Sequence, residues 1–222
     1  MEIRTAFHKK LREIQDDVLV MGSMVEKAIT SSVKALKERN LDLAHQIITD
    51  DLKVNEKRFE IEEKCIQLIA TQQPMACDLR TIISVLNIIS EVERIGDHAE
   101  GIAKIVLMIG DEPPLKPLVD IPRMTEKTVE MLHRSLDTFV KRDADTARKI
   151  AAEDDDVDNL YDQVFRELLT FMAEDPGTIT RATRLIWVAH NLERSADRVT
   201  NICERVVYMV TGKMEEITAS TY

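Results

Sequence analysis

Cysteine is scarce in this chain of 222 residues: Cys65, Cys77 and Cys203 are odd in number and form no Cys-x-x-Cys pair, which argues against a disulfide framework and a cysteine-based zinc site. Glycine and proline are also scarce, at six each, and aromatic residues make up only 4%. A chain so poor in turn residues and aromatics, and rich in Ala, Leu, Glu, Lys, Arg and Met, prefers helix, its sheet formers being outvoted. Long apolar runs are missing too. None reaches the ~18 residues needed to span a bilayer, and charge interrupts Met1 to His8 too often for a signal peptide. Net positive charge is absent: a formal charge of −10 works against non-specific binding to nucleic acid or anionic lipid and favours cationic partners. These absences predict a soluble protein of a reducing cytoplasm, at most peripheral to a membrane.

What the chain does have is helical periodicity. Phe7, Leu11, Ile14, Val18, Met21, Val25, Ala28 and Leu36 alternate in steps of four and three, apart from a polar Ser32, and so draw a heptad seam along one long helix. The pattern breaks around Asn40 to Asp42, where Asp42 is placed to cap a second helix running toward Ala70. Pro74 ends the next connection, and a third helix is expected from about Leu79 to Ile109. Gly110 to Asp120 holds three prolines, which cannot continue a helix because each lacks an N–H and clashes with the preceding turn. The same order then recurs: helices from about Pro122 to Lys141 and Ala144 to Ala173, a break at Pro176-Gly177, and a last helix to Thr211. The division is therefore residues 1–110, a linker at 111–120, and residues 121–222.

The two halves align directly. At an offset of 103, Met21 pairs with Met124, Ser32 with Ser135, Ile47 with Ile150 and Asp51 with Asp154; at an offset of 100, Glu93, Arg94, Asp97 and Ile102 pair with Glu193, Arg194, Asp197 and Ile202. The apolar pairs express only a shared core. A Glu-Arg-x-x-Asp helix in both copies is more than a core requires. Glu93 and Asp97 lie four apart and share a helix face, as do Glu193, Asp197 and Asn201, while the middle helices add Asp51 with Asn55 and Asp154 with Asp158 and Asp162.

Two readings of these acids stand side by side. Carboxylate clusters with few His or Cys residues suit hard or borderline cations such as magnesium, manganese, calcium or iron. Alternatively, Arg94, Arg194 and Arg198 neutralise the acids in salt bridges that set helix register. Catalytic signals are weaker. A di-iron enzyme of the ferritin type needs Glu-x-x-His on two helices, and here the spacing occurs once, as Glu130-Met-Leu-His133. His98 follows Asp97 and points elsewhere, while His190, three residues before Glu193, is a possible nitrogen ligand or a structural histidine. There is no P-loop, dinucleotide fingerprint or nucleophile elbow. The expectation is a protein without enzymatic activity.

Three stretches carry a resemblance: Pro74-Met-Ala-Cys-Asp-Leu-Arg80, Glu93-Arg-Ile-Gly-Asp97, and Asn191-Leu-Glu-Arg-Ser-Ala-Asp-Arg-Val-Thr-Asn-Ile-Cys-Glu204. They resemble the PhoU phosphate-signalling family, with similarity from about Thr5 to Gly212. The resemblance implies an all-α fold of two tandem three-helix bundles related by pseudo-twofold symmetry, cytoplasmic and usually a homodimer. It implies a negative regulator of phosphate uptake and starvation signalling, acting through the ATPase subunit of the phosphate ABC transporter and a phosphate-sensing histidine kinase. It also implies metal at Glu93, Asp97, Glu193 and Asp197, completed by Asp51, Asp154 and Asp158, with iron, zinc, manganese or magnesium as candidates. Gly101 departs from the Asn frequent in the family and opposes Asn201 here, so the second site is expected to bind metal more tightly. Ser195-Ala196 replaces the usual Ile-Gly. A carboxylate-bridged metal enzyme or storage protein, or a metal-free helical scaffold, remain the alternatives.

Overall fold

The computed structural model describes residues 2–217. Within them the chain forms α1 (Glu2–Glu38), α2 (Leu41–Gln72), α3 (Cys77–Ile109), α4 (Asp120–Lys141), α5 (Ala144–Ala151), α6 (Asp154–Glu174) and α7 (Ile179–Thr211), with one 3-10 turn at Pro176–Thr178 and no strand among the described residues. The two repeats show the same local solutions. Asn40 caps α2 by accepting from the Leu43 N–H at 2.9 Å, and its repeat counterpart Asp143 caps α5 by accepting from the Thr146 N–H at 3.0 Å. Asp42 is thus not the cap; it sits in the first turn of α2, where its charge meets the positive end of the helix dipole.

The apolar seam of α1 is buried from Phe7 to Leu36, with Ile29 rather than Ala28 fully enclosed. A straight helix of 3.6 residues per turn drifts away from a strict heptad, and over this length the drift moves the seam by one residue. The buried Ser32 satisfies its hydroxyl by donating to the Ile29 carbonyl, and Ser135 does the same to Leu132, both at 2.8 Å.

The expected helix from Ala144 to Ala173 is two helices. The hydrogen-bond ladder breaks at Ala152 and Glu153, whose ψ values of −12° and −7° describe a tight turn. Glu153 explains the position, because its carboxylate is held by Lys127 and Arg134 of α4, both at 2.9 Å. The break also places Asp154, Asp155 and Asp156 in the first turn of α6, where acids favour a helix start.

α3 packs on α1, α2 and α7, while α7 packs on α3, α4, α5 and α6, and α1 meets α4. One continuous core therefore runs through both repeats, with α3 and α7 at its centre and α2 and α6 on the flanks. α3 and α7 are antiparallel: Arg80 donates to the Met209 carbonyl, Arg198 to Glu91, and His98 meets Asn191, so rising numbers on one helix meet falling numbers on the other. At the α1/α4 contact, Gly22 lets the helices approach closely; a Cβ there would collide with Leu136 Cδ1.

Ala76, just before α3, holds φ 49° and ψ −114°, a conformation that L side chains rarely adopt. Replacing Ala76 with Gly relieves strain that exceeds the entropy glycine loses on folding. The expected outcome is a gain of about 1 kcal/mol, read as a rise of roughly 2–4 °C in the melting midpoint. A lower midpoint would contradict the backbone described for this loop.

Candidate functional site

Each middle helix lays an acidic row beside the Glu/Asp pair of the central helix next to it. In the first repeat, Asp51 of α2 lies among Glu93, Asp97 and Glu100 of α3. Burial first, then Asp97, Glu100 and Glu93, push the Asp51 carboxyl up to about 6. Asn55 donates to Asp51 at 3.0 Å. Arg58, one turn further along α2, donates to Glu93 at 3.3 Å. Glu93 is raised by burial and then by Asp97, with Arg58 and Arg94 working against the shift.

In the second repeat, Asp154 and Asp158 of α6 lie beside Glu193 and Asp197 of α7. This cluster is deeper. Asp154 is 7% exposed and Glu193 6% exposed. Burial first, then Asp158, Asp197, Glu193 and Asp155, push Asp154 up to about 7. Burial first, then Asp197 and Asp158, push Glu193 up to about 7 as well, against the pull of Arg194. Asp158 is raised by burial and then by Asp197, and the Tyr161 hydroxyl by burial and then by Glu193. Asp162 lies further out and pairs with Arg166 on its own helix.

The counter-charges differ between the copies. Arg194 pairs with Asp197 one turn along its own helix at 2.5 Å, as the salt-bridge reading expects of it, whereas in the first copy it is Arg58 of α2, outside that reading, that donates to Glu93. Arg198 does something else: it pairs with Glu91 of α3 at 3.4 Å, across the repeat boundary. Asp154 Oδ1 and Glu193 Oε2 are left buried without a hydrogen-bond partner. His190 Nδ1 comes within 3.2 Å of Glu193 Oε2, but not in hydrogen-bonding alignment. Two buried carboxylate oxygens with no donor lack a positive charge, and a cation of the oxygen-preferring class fits that lack. As the side chains stand, no three His, Cys, Asp or Glu residues among the described residues converge closely enough to hold an ion.

Two residues change role. Asn201, expected on the acidic face, donates instead to Glu91 at 3.1 Å. A Cβ on Gly101, the opposing position, would come within 3.0 Å of the Asn191 side-chain oxygen that meets His98. The two clusters differ in burial and in the Arg58 counter-charge, while the Asn201 amide is directed to Glu91. Glu100 and Arg58 escape a repeat comparison because their counterparts are Thr200 and Tyr161.

The model of the PhoU domain matches this chain twice, over residues 18–106 and 121–206. The chain belongs to the PhoU family. It is 39% identical over 215 residues to a Clostridium acetobutylicum protein described as a phosphate-specific transport system accessory protein PhoU homolog, covering 96% of this chain and 98% of that one. It is 37% identical over 207 residues to the phosphate-specific transport system accessory protein PhoU of Escherichia coli, covering 93% and 86%. Two PhoU crystal structures share the architecture of this PhoU-family chain. The regulatory protein from Streptococcus pneumoniae superposes with a TM-score of 0.89 at 31% identity, covering 95% of this chain and 99% of that one. PhoU from Pseudomonas aeruginosa gives 0.88 at 36% identity, covering 93% and 100%. The fold is therefore all-α with two PhoU repeats, and no helix among the described residues is long and apolar enough to cross a membrane.

Proposed function

We propose that this chain is a cytoplasmic accessory regulator that restrains phosphate transport and phosphate-starvation signalling when phosphate is plentiful. The observation that carries this reading is similarity over nearly the whole chain to proteins named for that accessory role. Its contacts would be with the ATPase subunit of the phosphate transporter and with a phosphate-sensing kinase, which suits a helical protein with extended charged faces and no assembled catalytic constellation among the described residues. The decisive genetic result is expression of phosphate-regulated genes in phosphate-rich medium after deletion of this gene. Normal repression in the deletion strain would reject the proposal.

The second acidic cluster is proposed to hold a divalent or trivalent cation through Asp154, Asp158, Glu193 and Asp197, with the first cluster a weaker counterpart around Asp51, Glu93 and Asp97. Bound there, a cation neutralises the carboxylates and ties α6 to α7. Protons compete with it, because Asp154 and Glu193 are both raised to about 7. Affinity for manganese or iron is therefore expected to climb by about tenfold or more between pH 6 and pH 8, with protons released on binding. Titration calorimetry in two buffers of different ionisation enthalpy measures both quantities. Asp197→Ala should remove most of the binding and Asp97→Ala much less; equal, negligible metal uptake by all three proteins would sink the cation reading.

A further inference from the structure

The outward face of α2 carries a feature that neither the core nor the acidic clusters use. Leu52, Phe59 and Ile66 repeat every seven residues and are 64%, 59% and 56% exposed. At 1.5 Å rise per residue they form a row about 21 Å long, opposite the buried row of Val54, Ile61, Cys65 and Leu68. Single exposed apolar residues are ordinary on a protein surface, but a row at heptad spacing is the pattern of a helix seam that lacks its partner.

The second repeat shows that the fold does not require this row. At the same repeat positions stand Asp155, Asp162 and Leu169, all exposed, so two of the three sites are charged in a helix that packs in the same way. The apolar residues on α2 are therefore surplus to folding. Phe59 is also held in place, because the Arg58 guanidinium lies 5.4 Å from its ring centroid while donating to Glu93.

Charge decides what the row can accept. Glu56 and Glu63 are exposed beside it and Glu62 is half-buried, and none of the three has an ion-pair partner among the described residues. The nearby cations are engaged: Lys53 with Asp50, Lys57 and Lys64 with Asp17 and Glu60, and Arg58 with Glu93. A second copy of the chain is a poor occupant. Antiparallel pairing centred on Phe59 would set Glu56 of one copy against Glu62 of the other, and parallel pairing would set each glutamate against itself.

We propose that the Leu52, Phe59 and Ile66 row docks a cationic amphipathic helix of a partner protein, one with aliphatic residues at three- and four-residue spacing flanked by Lys or Arg. The apolar side chains supply the seam, and Glu56, Glu62 and Glu63 meet the flanking cations. This inference stands on the α2 face alone and does not depend on metal in the acidic clusters or on which pathway the chain regulates.

The test uses the full chain and a fluorescein-labelled helical peptide of ~20 residues, long enough to cover the row, with Leu on one face and Lys beside it. A second peptide replaces every Lys with Glu. Fluorescence anisotropy is expected to show the Lys peptide binding at least about tenfold more tightly than the Glu peptide, and Phe59→Asp weakening it about tenfold or more. Because Asp adds negative charge, that loss reports the apolar anchor. Leu169→Asp, the matching change in the second repeat, should stay within about twofold of the parent chain. Phe59→Asp binding like the parent, or both variants losing binding equally, overturns the proposal. Sedimentation of the parent and of Phe59→Asp completes it: equal masses are expected, and a dimer that dissociates only in Phe59→Asp would assign the face to a second copy instead.

Discussion

With a chelator present, Asp154→Asn is expected to melt roughly 5–15 °C above the parent chain at pH 8, an advantage that shrinks steadily toward pH 4. The unfolded carboxyl ionises near 3.8 and the folded one near 7. Between those values the folded state holds a proton that the unfolded chain has given up. The stability that Asp154 contributes as a neutral group is therefore complete below about pH 4 and lost as pH rises through about 7. Asn is nearly isosteric and stays neutral, so it keeps that stability at pH 8, worth on the order of 4 kcal/mol at 1.4 kcal/mol per tenfold. Glu193 follows the same sign. The metal-free protein should accordingly become less stable from pH 5 to pH 8, opposite to a protein held by paired carboxylates. Thermal melts across that range check it, and a parent chain that gains stability over the same interval relative to Asp154→Asn would contradict the cluster described here.

Gly22→Ile is the second large effect, an expected loss of about 3 kcal/mol and a fall of roughly 6–12 °C in the melting midpoint. Helix propensity does not explain the glycine, which is buried in the interior of α1 and would be better replaced by Ala on that ground alone. The reason lies across the contact, where Leu136 Cδ1 occupies the space a Cβ would need. The repeat counterpart of Gly22 is Thr125, which is buried yet β-branched and donates its hydroxyl to the Ile121 carbonyl at 2.9 Å. A branched residue is thus tolerated on the other side of the pseudo-twofold and excluded on this one. Gly22→Ala should cost about 1 kcal/mol, since Leu136 can rotate its terminal methyl away from one carbon but not from four. Urea unfolding curves with unchanged slopes measure both costs; a neutral Gly22→Ile would mean that α1 and α4 are not in close contact.

Most of the helices were legible in the sequence, for reasons that particular residues show. The α1 seam declares itself by spacing, and the prolines at 113, 114 and 117 mark the connection between repeats because no helix passes through them. The acidic pairs on α3 and α7 were legible because duplication repeats them at one offset. What was hidden depends on partners distant in sequence. The α5/α6 break has no proline or glycine; it follows from Lys127 and Arg134 on α4 holding Glu153. Asn201 has the spacing of a third acidic-face donor after Glu193 and Asp197, yet its amide is taken by Glu91 from the other repeat. Likewise, the greater burial of Asp154 compared with Asp51 is a product of tertiary packing, which no local pattern records.

The contacts between α3 and α7 occur as a matched pair about the pseudo-twofold. Glu91 faces Arg198, and Asn191 faces His98, so one end of the crossing is an ion pair and the other a neutral contact. Two first halves joined about the same axis would set Glu91 against His98 at both ends. Two second halves would leave the charge of Arg198 facing only an amide at both ends. Only unlike halves give Arg198 a carboxylate, so after duplication each half carries a complementary code for the other and against a copy of itself.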